Sequence, residues 1–145
     1  MVLNASLNLR PTTTVRVQGS LAYAHLVRAS DGSEFANSVI PRFKVEFQPS
    51  VPLFFRVIAE YQSTRQDALQ DPVTGQVLLV NGAPSTPISL DGLAVNWLAS
   101  YEPSPGTVAF LGYGSTSSTD TAFDFATLQR QSDGFFLKLA YLFRR

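Results

Sequence analysis

Apolar and polar residues alternate along most of this chain with a period of two, and helical spacing is nearly absent. A period of two places successive side chains on opposite faces of a strand. Seven segments are predicted as strands on this basis. The first, roughly Val2–Arg10, sets Leu3, Ala5, Leu7 and Leu9 against Asn4, Ser6, Asn8 and Arg10. The second, roughly Thr14–Arg28, sets Val15, Val17, Leu21, Tyr23 and Val27 against Arg16, Gln18, Ser20 and Arg28. The third, roughly Ser38–Gln48, has Val39, Phe43, Val45 and Phe47 on one face, and Arg42, Lys44, Glu46 and Gln48 on the other. The fourth, roughly Leu53–Ser63, opposes Phe55, Val57, Ala59 and Tyr61 to Arg56, Glu60 and Gln62.

The fifth strand, roughly Leu90–Glu102, carries Leu93, Val95, Trp97, Ala99 and Tyr101 on its apolar face. In the sixth, Thr107–Gly114, Ala109, Leu111 and Tyr113 compete with Val108 and Phe110 for that face. The first set is preferred, because Gly112 and Gly114 then share the crowded side. The seventh is "GFFLKLAYLFRR", residues 134–145, with Phe135, Leu137, Leu139, Tyr141 and Phe143 in one parity and Lys138 in the other.

Connections alternate in length. "PTTT", "PSVP" and "PSPG" are short and proline-bearing, as tight turns should be. "ASDGSEFAN" and the segments over 65–89 and 115–132 are long and polar. The predicted fold is therefore all-β: an antiparallel up-and-down meander of about seven long strands, forming a partial or open transmembrane β-barrel. A strand crosses a bilayer in ~9–11 residues, whereas soluble strands cluster near ~5–6. Outer-membrane barrels combine short turns at one end, long loops at the other, an apolar exterior and a polar lumen. The alternative is a soluble β-sandwich or β-barrel ligand-binding module, with Trp97, Phe43, Phe47 and Leu139 in a closed core.

Two face assignments follow from the membrane expectation. Arg42, Lys44, Glu46, Arg56, Glu60 and Lys138 would line the lumen. Tyr23, Tyr61, Trp97, Tyr101, Tyr113, Tyr141 and Phe143 would anchor at the membrane interfaces, where amphipathic rings are favoured. If strands three and four pair so that residue numbers sum to about 102, Glu46 faces Arg56 and Arg42 faces Glu60. The partners implied are membrane lipid and the barrel-insertion machinery.

Composition narrows the remaining classes. Eleven basic and eleven acidic residues leave no net charge, which disfavours a nucleic-acid surface. There is no cysteine, hence no disulfide framework or thiolate metal site. No apolar run approaches the ~18 residues of a transmembrane helix. His25 is the only histidine, so neither a His-based metal site nor a Ser-His-Asp triad can be assembled. Asp120 and Asp124 lack EF-hand spacing. No set of residues supports an enzyme, and no cofactor is expected.

The stretch "ASYEPSPGTVAFLGYGS", followed by "FDFATLQRQSDGFFLKLAYLFRR", resembles the C-terminal end of large bacterial outer-membrane proteins. These carry an N-terminal domain like family 9 carbohydrate-binding modules and a barrel domain of unknown function. The resemblance implies a place in the bacterial outer membrane; joined to the strand pattern and the unequal loops, it leads to the expectation that the parent protein passes solutes or binds them at the surface for uptake. It also implies a final strand ending in an aromatic that the insertion machinery reads, here Phe143. The carbohydrate-binding region has no counterpart in this sequence. Single-chain bacterial barrels have an even number of strands, whereas seven are predicted. Residues 1–145 are therefore expected to form one domain, the C-terminal segment of a longer barrel whose upstream strands and export signal are missing. An extra hairpin within 65–89, turned by Asp71, Pro72 and Gly75, is the other expected source of further strands.

Overall fold

A computed structural model describes residues 1–142, so Phe143 lies outside the described residues. The strands are β1 (Val2–Leu9), β2 (Val15–Val27), β3 (Glu34–Ser50), β4 (Leu53–Gln66), β5 (Leu79–Val80), β6 (Ala83–Pro84), β7 (Ile88–Ser104), β8 (Thr107–Thr119) and β9 (Gln129–Ala140). Seven of them form one antiparallel sheet in the order β1-β2-β3-β4-β7-β8-β9. It is an open meander, not closed into a barrel. The pair β5–β6 stands apart as a small hairpin. Its turn is Asn81-Gly82, both at positive φ, as a tight two-residue hairpin requires. A hairpin does lie within 65–89, but it turns at Asn81-Gly82 and not at Asp71, Pro72 and Gly75, and it adds no strand to the main sheet. Asp71 and Gly75 do close a turn, through the Gly75 N–H donating to the Asp71 carbonyl at 2.9 Å.

Strands three and four pair in the expected register, with Arg42 opposite Glu60, Glu46 opposite Arg56 and Phe47 opposite Phe55. Several strands run past the ends that alternation indicates, β4 to Gln66 and β7 over Ile88–Ser104 among them. β3 begins at Glu34, β8 runs to Thr119, and β9 begins at Gln129. "STSST" is therefore strand, not loop. Hydroxyl pairs across the ladder hold these polar ends: Ser38 with Thr64 at 3.0 Å, and Thr116 with Ser132 at 2.6 Å.

The sheet is a single layer. Among the described residues, Tyr61 is the only buried hydrophobic side chain. The closed core of the sandwich alternative is not formed: Phe43, Phe47 and Leu139 are 51%, 41% and 72% exposed. Seven long strands in one sheet leave no second layer to cover them.

The glycines of β8 explain its choice of face. Gly112 lies opposite Phe136, and a Cβ there would run into the Phe136 ring. A Cβ on Gly114 would come within 2.6 Å of Asn96 Oδ1. Ala109, Leu111 and Tyr113 accordingly occupy the other face, opposite Tyr101, Ala99 and Trp97.

Gly112→Ala should displace Phe136 and destabilise the β8–β9 pairing by ~1–3 kcal/mol, the usual cost of overpacking. Adding Phe136→Ala should restore most of the loss. Thermal unfolding checks both; equal midpoints for the unsubstituted protein and Gly112→Ala would contradict the contact.

Candidate functional site

The pairing registers join into continuous rows across the sheet. One row runs Leu9, Val17, Val45, Val57, Trp97, Tyr113, Phe135, and every member points to the same face. On this face, no charged residue occurs from Leu3 to Leu9, Val15 to Tyr23, Val39 to Phe47, Leu53 to Tyr61, Leu93 to Tyr101, Ala109 to Tyr113 or Phe135 to Tyr141. The result is an uninterrupted apolar belt.

The belt runs obliquely to the hydrogen-bonded rows. Its upper edge is Tyr23 and Val39 on β2 and β3, whose row continues into the polar Ser63 and Asp91. On β4 and β7 the edge drops to Tyr61 and Leu93. On β8 and β9 it drops to Tyr113 and Phe135, with Ser115 and Asp133 just above. In rows, this is a descent from Tyr23 to Val17 on β2. The short turns step the same way. Leu9–Val17, the last pair before the first turn, shares a row with Trp97–Tyr113. That pair is still six or seven residues short of Ser104–Thr107, which closes the third turn four strand spacings away. At ~3.3 Å per residue and ~4.8 Å between strands, both offsets correspond to an inclination of about 45°. The apolar edge and the rim of short turns are thus parallel, and the strands tilt across both.

The predicted aromatics fall on this belt with one difference. Tyr23, Tyr61 and Tyr113 mark its upper edge, while Tyr101 and Tyr141 lie toward the turns. Trp97 does not mark an edge. It sits midway along β7, where its ring meets Tyr113 at 6.5 Å and Phe135 at 6.4 Å.

All six predicted wall charges share the opposite face. Lys138 lies opposite Phe110, in the parity of Arg42, Arg56 and Glu60. Arg42 donates to Glu60 at 3.3 Å. Glu46 differs from expectation: although opposite Arg56, its carboxylate accepts from Lys44 at 3.1 Å. Lys44 is two residues away on the same strand and face, near enough for the flexible ammonium to compete. Arg16, also opposite Glu46, belongs with this set. Its place in the polar parity of strand two was the available signal.

Two loop-end clusters escaped sequence reasoning. Arg28 has a side chain only 13% exposed. It donates to Ser33 Oγ, the Glu34 carbonyl, Asp67 and the Ala68 carbonyl, and it lies over the Phe35 ring at 5.5 Å. It therefore ties the loop after β2 to the loop after β4. In the second cluster the loop after β8 folds back over Tyr61. Phe123 and Phe125 meet the Tyr61 ring at 4.9 and 5.4 Å. The Phe123 N–H donates to Tyr61 Oη at 2.7 Å, with Phe123 held at positive φ. Tyr61 Oη donates in turn to the buried Asp91 at 3.4 Å. The "FDF" triplet was the only sequence hint.

His25 pairs with Glu34 at 3.0 Å, at the loop end of the sheet. Loop carboxylates brace the turns. The backbone N–H of Ser33 holds Asp31 below the usual carboxylate range, and those of Thr74 and Val73 do the same for Asp71. Such bonds favour the ionised form, so both turns are braced at neutral pH and loosen as pH falls through the lowered values. No family model, curated protein or solved structure matches the chain.

Tyr61→Phe should free the loop after β8, at a cost of about 1 kcal/mol for the lost hydroxyl. Amide exchange at Phe123 should speed up severalfold, with exchange at the centres of β3 and β4 unchanged. Unaltered exchange at Phe123 would show that the ring contacts alone hold the loop.

Proposed function

We propose that this sheet is the C-terminal segment of a bacterial outer-membrane β-barrel, whose parent protein passes solutes or binds them at the surface for uptake. The observation that carries this reading is the uncharged belt running parallel to the rim of short turns. A soluble protein has no reason to align an apolar boundary with its turns across seven tilted strands. A bilayer imposes that alignment, because the edge of the hydrocarbon is a plane. On β7 the belt covers the nine positions Leu93–Tyr101. That is ~30 Å along the strand and ~20 Å in height at the inferred tilt, close to the ~25 Å apolar band of outer-membrane barrels. Tyr23, Tyr61 and Tyr113 would then meet one headgroup layer, with Tyr101 and Tyr141 at the other. The opposite face, with its hydroxyls, amides and charges, would be the lumen wall.

Closure follows from strand direction. In a seven-strand meander β1 and β9 run the same way, so joining them directly would make a parallel seam. Free edges leave backbone groups unsatisfied in lipid. An all-antiparallel barrel therefore needs an odd number of further strands between β9 and β1, the missing strands of the same protein. Insertion would proceed through the barrel-insertion machinery, with β9 and the aromatics after it as its target.

Membrane assembly separates the two faces of β9. Leu139→Arg would place a charge in the belt, at ~2–4 kcal/mol if near the bilayer midplane, and should sharply reduce the detergent-extractable membrane fraction. Lys138→Leu, on the opposite face, should assemble normally. A full-length parent protein found in the soluble fraction without detergent would overturn the proposal.

A further inference from the structure

The polar face holds more positive charge than its ion pairs cancel. Arg16, Arg42, Lys44, Arg56 and Lys138 stand there against Glu46 and Glu60. Both carboxylates are engaged, Glu60 by Arg42 and Glu46 by Lys44. Arg16 and Arg56 lie in the row of Glu46, one strand away on either side. Among the described residues neither forms an ion pair. Arg10 and Glu102, nearer the short turns, are of opposite sign. The loop carboxylates, Asp31, Asp67 and Asp71 among them, lie at the far end of the sheet. The chain is neutral overall, yet this wall is not.

A second observation falls on the same patch. A cavity of about 260 Å³ opens on the polar side of β1, β2 and β3, lined by Ser6, Asn8, Gln18, Ser20, Arg42 and Lys44, with Gly19 beneath. Its lining offers two cations and four hydroxyl or amide groups, and no carboxylate. Cations beside neutral donors form the donor set that carboxylate and phosphate oxygens accept from.

We infer that this wall selects small anionic solutes that carry a carboxylate or phosphate group, with the β1–β3 cavity as a binding station and Arg16 and Arg56 as the uncompensated charges that attract them. The inference rests on the lumen reading given above. Arg- and Lys-lined constrictions favour anions by the same electrostatics, and low-dielectric walls focus the field of such charges.

The test is ion selectivity of the full-length protein in planar bilayers under a potassium chloride gradient. Anion preference is expected, and Arg16→Glu with Arg56→Glu should reverse the sign of the reversal potential. Arg16→Lys with Arg56→Lys should preserve it, which guards against a merely misfolded reversal variant. Phosphate and succinate, added separately, should each reduce the chloride current. Arg42→Gln with Lys44→Gln should weaken that block about tenfold. Block by one anion and not the other identifies the group the cavity takes. Cation preference in the parent, or selectivity indifferent to the charge reversal, would overturn the inference while leaving the barrel reading intact. Correctly inserted protein without any conductance would overturn the inference together with solute passage.

Discussion

Inter-strand backbone hydrogen bonding in a fixed register is the interaction on which this structure depends. With a single layer there is no opposing sheet or helix to hold a strand in place, and Tyr61 is the one buried hydrophobic side chain among the described residues. Five of the seven long strands have ladders on both sides, while β1 and β9 have one. Register therefore carries the organisation that a core supplies elsewhere. A slip of one residue would exchange the two faces, moving Arg42, Lys44 and Glu46 into the belt and Phe43 and Val45 out of it. The irregularities fall where they do least harm. Register shifts occur at Leu26/Val27, Phe47/Ser50, Tyr101/Ser104 and Thr116/Ser117, at or beyond the edges of the belt. Inside it the register does not shift, and the one gap in a ladder is at Ile40 and Pro41 on β3, where proline has no N–H to donate.

Much of this was legible because period two is a local property that a sequence displays directly. The pairing of β3 with β4 and the side occupied by Lys138 both follow once alternation is extended across a tight turn. So does the orientation of β8, where Gly112 and Gly114 mark the crowded face. The strand ends were not legible. Ser115–Thr119 and Gln129–Asp133 have no apolar parity, and they are strands because β7 and β8 already extend beside them and offer backbone partners. Their hydroxyls then pair across the ladder, a tertiary effect with no local signature. The partner of Glu46 was missed for a related reason. Register fixes where Cα atoms lie, but a long ammonium on the same strand can reach a carboxylate as readily as the guanidinium across the ladder.

The two ends of the sheet solve different problems. At the turn end, short proline-bearing connections close each hairpin at once. At the loop end the chain must satisfy polar backbone without a ladder, and it does so with single side chains that each serve several groups. Arg28 bridges two loops through four acceptors. The Asp71 carboxylate accepts from the N–H groups of Val73 and Thr74. The Tyr61 hydroxyl both accepts and donates, linking the loop after β8 to Asp91. Each is a point at which one substitution would loosen a whole loop while leaving the sheet intact.

The polar face is itself divided. Apart from Lys138 on β9 and Glu102 near a short turn, its charges gather on β2, β3 and β4, whereas on β7 and β8 the same rows hold Ala94, Asn96, Leu98, Gly112 and Gly114. The row Arg16, Glu46, Arg56 thus passes into Leu98, Gly112 and Phe136, whose ring occupies the space that a side chain on Gly112 would need. The face is thus apolar around Phe136 and charged on the strands at the other side of the sheet. A charged strip, made by Arg16, Arg42, Lys44, Arg56, Glu46 and Glu60, therefore lies beside a weakly polar one on the same face. The alternation that sets the belt on one face also fixes which residues make up the other, since each belt position assigns its two neighbours to the opposite face.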